Sequence, residues 1–295
     1  MDVHLVDGTY ELFRQFFGQP SRQADDGREI GAARGVVTSV FSMLANGATH
    51  VGVATDHVIE SFRNGLWPGY KTGADIDPVL RSQFELLETS LTALGVGVWA
   101  MVDLEADDAL ASAASVAAKD PDVHQVIICT PDKDLAQCVV GDRVVQLDRR
   151  RETVTDEGGV WAKFGVAPAS IPDWLALVGD TADGFPGLAG WGKRSASVVL
   201  AHYGSLDDIP DAVSAWDPAL RQEVRGAAKL AERLAAEREL AELFKDIATL
   251  RTEPPVLPDV ASLRWRGPTA DFEEICRLFN DPRLAQRAAA LAEKR

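Results

Sequence analysis

Residues 102–111, VDLEADDALA, set Asp103, Glu105, Asp107 and Asp108 at the mouth of an alanine-rich run. An acid just ahead of a helix can cap its first N–H groups and meet the positive end of its dipole, so each carboxylate taken singly has a structural reading. Together they are harder to explain that way. Like charges crowded in a low dielectric repel, and a divalent cation relieves them. PDKD poses the same question with Asp132 and Asp134, and GDTAD poses it with Asp180 and Asp183. No His or Cys stands among these acids, and hard carboxylate oxygens suit magnesium or manganese rather than zinc. On a helix start Glu105 and Asp108 share a face with Asp107 beside them, and the balance leans toward a metal site.

Short Val- and Ile-rich runs must position these groups: VHLVD (3–7), HVGVATD (50–56), VGVWAMVD (96–103) and HQVIICTPD (124–132). Helical patterns over 31–45, 78–95 and 105–119 alternate with them, which predicts a parallel α/β sheet. A fifth strand, 143–148, pairs as a hairpin with 152–155 across a solvated turn at Arg149–Arg151. Four strands run into acids, at Asp7, Asp56, Asp103 with Glu105, and Asp132, and the carboxyl ends of parallel strands lie along one edge, where ligands bind. Beyond about residue 165 the pattern is helical, with a long amphipathic stretch at 218–245 expected to pack on the sheet. Trp99 and Phe41 read as core.

GFPGLAGWGKRSA follows GDTAD and places Gly184, Gly187, Gly190 and Gly192 ahead of a helix beginning near Lys193. Such a turn can bring backbone N–H groups close to a phosphate, or it can simply join two helices tightly. It is neither a Walker A loop nor a Rossmann turn, because the spacing differs and a helix rather than a strand precedes it.

Composition sets outer limits. The chain has 295 residues, 46% of them hydrophobic, enough for one large or two modest domains. A net charge of −15 argues against a generic DNA-coating protein but leaves room for a local basic surface. Three cysteines, Cys129, Cys138 and Cys276, lack ligand spacing and read as reduced and structural. No apolar run approaches the ~20 residues of a membrane span, and the first residues do not read as a signal peptide, so a cytoplasmic protein is expected.

In order along the chain, LVDG, VATD with SFRNGLWPGYK, LEADDALA, TPDKDLAQ, GDTADGFPG and GWGKRSA resemble the 5′-nuclease superfamily, the bacterial and phage 5′–3′ exonucleases and flap endonucleases that include the 5′-nuclease domain of DNA polymerase I. The resemblance runs from Val3 to about Gly204. It implies a PIN-like α/β catalytic domain over 1–170 with a helical arch at about 57–95. It also implies a helical domain over 171–295 whose helix-three-turn-helix, about 180–204, grips duplex DNA. The family's metal ligands fall on Asp7, Asp56, Glu105, Asp107, Asp108, Asp132, Asp134, Asp180 and Asp183. Tyr70 would stack on a nucleobase, Lys71 would approach the scissile phosphate, and Arg63 fits a nearby basic position. Gly187, Gly190, Gly192, Lys193, Arg194 and Ser195 would hold duplex phosphates.

The activity so implied is metal-dependent hydrolysis of DNA phosphodiesters in replication and repair, with two or more Mg2+ or Mn2+ ions and K+ at the helix-three-turn-helix. The partners are DNA with 5′ ends or flaps, RNA primer strands as a further substrate, and no membrane; the chain would act as a monomer. Nothing after about residue 205 resembles a polymerase or proofreading domain, so a free-standing nuclease is expected. Two alternatives are a PIN-type endoribonuclease, disfavoured by the glycine turn and GDTAD, and a noncatalytic DNA-binding relative, disfavoured by the complete acid set. Departures from the family are Ala74 where an arginine is usual, which weakens the expected clamp on the 5′ strand, and Gly184 where asparagine is common.

Overall fold

A computed structural model describes all residues, Met1–Arg295. The chain divides into two compact units, one made of residues 1–59, 73–130 and 251–295, the other of 60–72 and 131–250. The units are interleaved, so the expected single cut at 170 is replaced by several crossings. In particular 251–295, expected to be part of a helical domain, belongs to the first unit.

The first unit holds β1 (Asp2–Asp7), α1 (Gly8–Gly18), α2 (Gly31–Ala45), β2 (His50–Asp56), α4 (Pro78–Arg81), α5 (Gln83–Leu94), β3 (Gly97–Met101), α6 (Ala106–Lys119), β4 (Gln125–Cys129), α13 (Phe272–Leu278) and α14 (Pro282–Ala292). The second holds α3 (Arg63–Leu66), β5 (Val144–Asp148), β6 (Thr153–Thr155), α7 (Glu157–Phe164), α8 (Ile171–Val178), α9 (Lys193–Tyr203), α10 (Pro218–Glu223), α11 (Ala227–Ala236) and α12 (Arg238–Ala248). No helix is long and apolar enough to cross a membrane.

In the first unit β1 lies between β2 and β4, with β3 beyond β2, all parallel. Val3, Leu5 and Val6 of β1 and Val51 and Val53 of β2 are fully buried, as strands covered on both faces require. Trp99 is only half-buried; its ring lies over Gly52, where a Cβ would meet it at 2.4 Å. Phe41 is core, as expected. The C-terminal segment docks here because Trp265 donates its Nε1–H to the Leu94 carbonyl (2.8 Å) and Arg34 pairs with Asp281 (3.1 Å).

Helix α1 is not legible in the sequence, where its flanking glycines and aromatics hide the period. Asp7 caps it, accepting from the Tyr10 N–H at 2.8 Å, and Gly8 follows because a Cβ there would lie 2.7 Å from the Ala54 carbonyl. The helix expected over 78–95 breaks at Ser82 into α4 and α5. Phe84, Leu87, Leu91 and Leu94 of α5 are buried, so this part of the expected arch is a core helix of the α/β unit.

In the second unit α8 is buried nearly all round, and α12 packs against it with Ala241, Phe244, Ile247 and Ala248. The amphipathic 218–245 stretch is three helices, broken where Gly226 takes φ +78° and where Glu237 caps two helix ends. Its last helix covers α8, not the sheet. β5 and β6 form the expected antiparallel hairpin, with Arg150 and Arg151 exposed at its turn. All three cysteines are free, and burial pushes the Cys276 thiol up to about 11.

Candidate active site

Asp134, Asp180 and Asp183, all in the second unit, bring carboxylate oxygens within 4.8 Å of one another. Asp134 and Asp180 are buried and Asp183 is half-buried. Local sequence explains the convergence. Asp132 accepts from the Asp134 N–H at 3.0 Å, fixing the turn at which Asp134 opens a short helix. Asp180 and Phe185 bridge to each other across a tight loop, and Asp180 Oδ1 accepts from the Ala182 N–H at 3.0 Å.

The cluster is electrically unbalanced. Burial, with the charges of Asp132 and Asp183 next, drives the Asp134 carboxyl well above the usual aspartate range. Its Oδ1 is buried with no hydrogen-bond partner. A buried, unpaired carboxylate oxygen among further acids fits a hard divalent cation, which takes oxygen ligands and neutralises the repulsion.

Two lysines reach the cluster. Lys71 Nζ pairs with Asp183 Oδ1 at 2.9 Å, and Lys133 pairs with Asp180. Burial opposes the charge on Lys133, but Asp134 and Asp180 outweigh it and hold its pKa above the ordinary value. Sequence reasoning missed Lys133 as a functional candidate, although its place between the two acids of PDKD was a usable signal.

Lys71 is held by its backbone as much as by its side chain. Its N–H donates to the Asp183 carbonyl (2.9 Å), Asn64 Nδ2 donates to the Lys71 carbonyl (2.9 Å), and Trp67 Nε1 donates to the Gly184 carbonyl (3.0 Å). Gly184, a departure from the family's usual asparagine, has φ +85°, and a Cβ there would lie 2.0 Å from the Gly69 carbonyl. Only glycine fits that approach.

The other residues expected around Lys71 are not at the surface. Tyr70 is buried among the apolar residues of the second unit, so it is not a stacking platform. Arg63 is 2% exposed, donating Nε–H to the Ile247 carbonyl (2.8 Å) and an Nη2–H to the Thr249 carbonyl (3.3 Å). It satisfies the otherwise open carbonyl end of α12 and thereby fixes the strand of chain carrying Lys71. Arg63 is a positioning residue.

In the α/β unit the expected ligands have other tasks. Asp7 Oδ2 accepts from Thr130 Oγ1 (3.0 Å) and its Oδ1 caps α1. Asp56 Oδ1 accepts from the Ala106 N–H at 2.7 Å. Asp108 is fully buried, and both its oxygens accept backbone N–H groups, from Glu105 (3.0 Å) and Arg251 (2.8 Å). Asp108 is therefore a cap rather than a ligand, in a reciprocal capping box with buried Glu105. Asp107 is half-buried in the first turn of α6, and Asp103 is exposed.

The glycine turn joins two helices tightly and leaves part of its backbone exposed. Gly179 and Gly187 are packing residues: a Cβ on Gly187 would lie 2.3 Å from the Gly179 N, and Leu188 N–H donates to the Leu177 carbonyl at 2.9 Å. Gly187, being buried, is not a phosphate contact. Gly190 and Gly192 are exposed, and Ser195 Oγ accepts the Gly192 N–H at 3.0 Å, capping α9. Lys193 and Arg194 stand exposed on the first turn of that helix, whose leading N–H groups have no intrahelical acceptor.

The chain carries a parallel α/β unit and a helical unit that gathers three acids, and comparison with known proteins gives the family. Residues 2–165 match the model for the 5′-3′ exonuclease, N-terminal resolvase-like domain, and 166–271 match that for the 5′-3′ exonuclease, C-terminal SAM fold. The chain belongs to the 5′-3′ exonuclease family. It is 34% identical over 260 residues to DNA polymerase I of Pseudomonas aeruginosa, covering 84% of this chain and 27% of that protein. It is 31% identical over 263 residues to the thermostable DNA polymerase I of Thermus aquaticus, covering 89% of this chain and 30% of that one. The chain thus spans about a third of the curated relatives it matches. The fold is shared with a bacteriophage T5 flap endonuclease solved with DNA and metal ions (TM-score 0.67, 17% identity, 99% of this chain and 100% of that one). It is also shared with the catalytic core of Rad2 bound to a DNA substrate (TM-score 0.61, 15% identity, 98% and 91%).

Proposed function

We propose that the chain is a structure-specific 5′ nuclease, hydrolysing phosphodiesters in DNA that carries 5′ ends or flaps. The observation that carries this reading is the buried Asp134, Asp180 and Asp183 cluster, with its unpartnered Oδ1 and with Lys71 fixed at its rim. Family membership, the DNA and metal ions in the T5 structure and the DNA in the Rad2 structure support the substrate class.

Asp134, Asp180 and Asp183, with Asp132 beside them, would hold Mg2+ or Mn2+. Glu105 and Asp107 are the proposed ligands of the α/β unit. Divalent cations, when bound, would supply an activated water and charge to meet the leaving oxygen. Lys71 would present its ammonium to the phosphoryl oxygens, an interaction strongest when negative charge builds there. Gly190, Gly192 and the first turn of α9 would hold duplex phosphates, and the same turn is the proposed place of a K+ ion. Arg63 would act through the chain segment it anchors.

The test is cleavage of 5′-flap, nicked and single-stranded DNA, and of matching RNA, with and without Mg2+ or Mn2+. The expected result is cation-dependent cleavage near the flap junction. Absence of DNA cleavage with either cation would overturn the reading.

A further inference from the structure

Five cations of the helical unit are spoken for. Lys71 and Lys133 pair with the acidic cluster, Lys245 with Asp173 and Asp207, and Arg238 with Asp211, while Arg63 is buried against carbonyls. Around α9 and α11 the pattern changes. One open groove is lined by Lys193, Arg194, Glu223 and Arg225, and the adjoining face of α11 by Lys229, Glu232 and Arg233.

Helix α11 is strongly amphipathic. Ala227, Leu230, Ala231 and Leu234 are buried, so Lys229 and Arg233, four apart, share the exposed side, and Arg225 stands exposed just ahead of the helix. Arg225 and Lys229 have no carboxylate partner. Arg233 bonds Glu237 at 2.6 Å, an exposed i, i+4 pair of the kind worth only a few tenths of a kcal/mol and readily exchanged for a phosphate. Five cations against three acids on this surface, Glu237 included, contrast with a chain whose net charge is −15.

We propose that Arg225, Lys229 and Arg233 form a backbone-binding ridge for duplex DNA that extends the grip of the first turn of α9. Along α11 the rise from Lys229 to Arg233 is about 6 Å, and Arg225 stands ahead of the break at Gly226 in the groove it shares with Lys193 and Arg194, so the ridge continues along the backbone of a duplex seated in that groove. Charge without base-reading geometry makes it sequence-independent. The assignment rests on the nuclease reading for its ligand.

The test compares wild type with the full-length Arg225→Ala/Lys229→Ala/Arg233→Ala variant on two 5′-flap DNAs, one with a duplex arm long enough to cover the ridge and one with an arm that ends before it. Affinity is measured in chelator across a salt series. On the long arm the variant should bind roughly tenfold more weakly, with a salt slope shallower by about 0.9 for each phosphate the ridge no longer neutralises. On the short arm the two proteins should bind equally, and single-turnover cleavage at saturation should match on both.

Equal affinity on the long arm, or equal weakening on both arms, would overturn the ridge. An Arg225→Lys/Arg233→Lys variant should keep wild-type affinity; if it binds as weakly as the alanine variant, charge is not the cause and the ridge also falls. Wild type that binds both DNAs and cleaves neither would overturn the nuclease reading while leaving the ridge standing, so the two failures are distinct.

Discussion

The acids of the α/β unit and Asp134 of the helical unit look alike in sequence and are met differently in the fold. Asp7, Asp56 and Asp108 have oxygens bonded to backbone N–H or hydroxyl donors and hold strand ends to helix starts. Asp134 has a buried oxygen bonded to nothing, and its carboxyl is pushed up by burial and by its acidic neighbours. A carboxylate met by local dipoles is part of the framework. One met chiefly by other carboxylates is arranged for a cation, and the two kinds should respond differently to substitution, pH and metal.

The largest effect is expected at Asp134. Asp134→Asn should lower single-turnover cleavage by on the order of a thousandfold, since metal charge stabilisation amounts to several kcal/mol. The same change should raise the melting temperature of the metal-free protein, because it removes a buried repulsive charge. Unchanged cleavage would place the chemistry elsewhere.

Asp108→Ala should act in the other direction on stability. Leaving the buried Glu105 N–H and the part-buried Arg251 N–H unpaired costs about 1–3 kcal/mol each, so urea denaturation should show a loss of roughly 2–6 kcal/mol that divalent cations do not restore. A metal-dependent loss would return Asp108 to the ligand set.

The pH dependence follows from the raised Asp134 pKa. A carboxyl whose folded pKa lies above its unfolded value contributes stability at low pH that is lost as pH rises through the folded pKa. Metal-free protein should therefore lose stability from the ordinary aspartate range upward through the raised value of Asp134, and Asp134→Asn or saturating Mn2+ should flatten that fall. Melting temperatures across the range with and without Mn2+ would show it; parallel curves would contradict it.

The smallest effect is expected at Lys133, which competes with a cation for Asp180. Lys133→Met should tighten Mn2+ binding by a few-fold, a shift of roughly 1 kcal/mol measurable by calorimetry. Weaker binding would make the lysine a support of the site instead.

Much of the α/β unit was legible because its signals are local. Strands buried on both faces read as continuous Val and Ile runs, and the observed β1, β2, β3, β4 and β5 lie within one residue or two of the expected runs at their starts. The acid motifs were legible too, but the reading did not single out the meeting of Asp134 with Asp180 and Asp183, which the fold brings about. Helix α1 was not, since Asp7 reads for its charge rather than as a cap.

Residue type and spacing by themselves determined the alternation of strands and helices in a parallel sheet, the family, the acid-rich motifs and the helix opening at Lys193. Tertiary structure alone decided what each charged group faces. Arg63 and Tyr70 sit beside Lys71 in sequence, yet burial makes one a clamp on the carbonyls of α12 and the other core, while Lys71 reaches Asp183. It also decided that 251–295 returns to the α/β unit and that Gly184 must be glycine. The reason is physical: a side chain's chemistry is carried by its type, but its charge state, partners and accessibility depend on atoms that are close in space and distant along the chain.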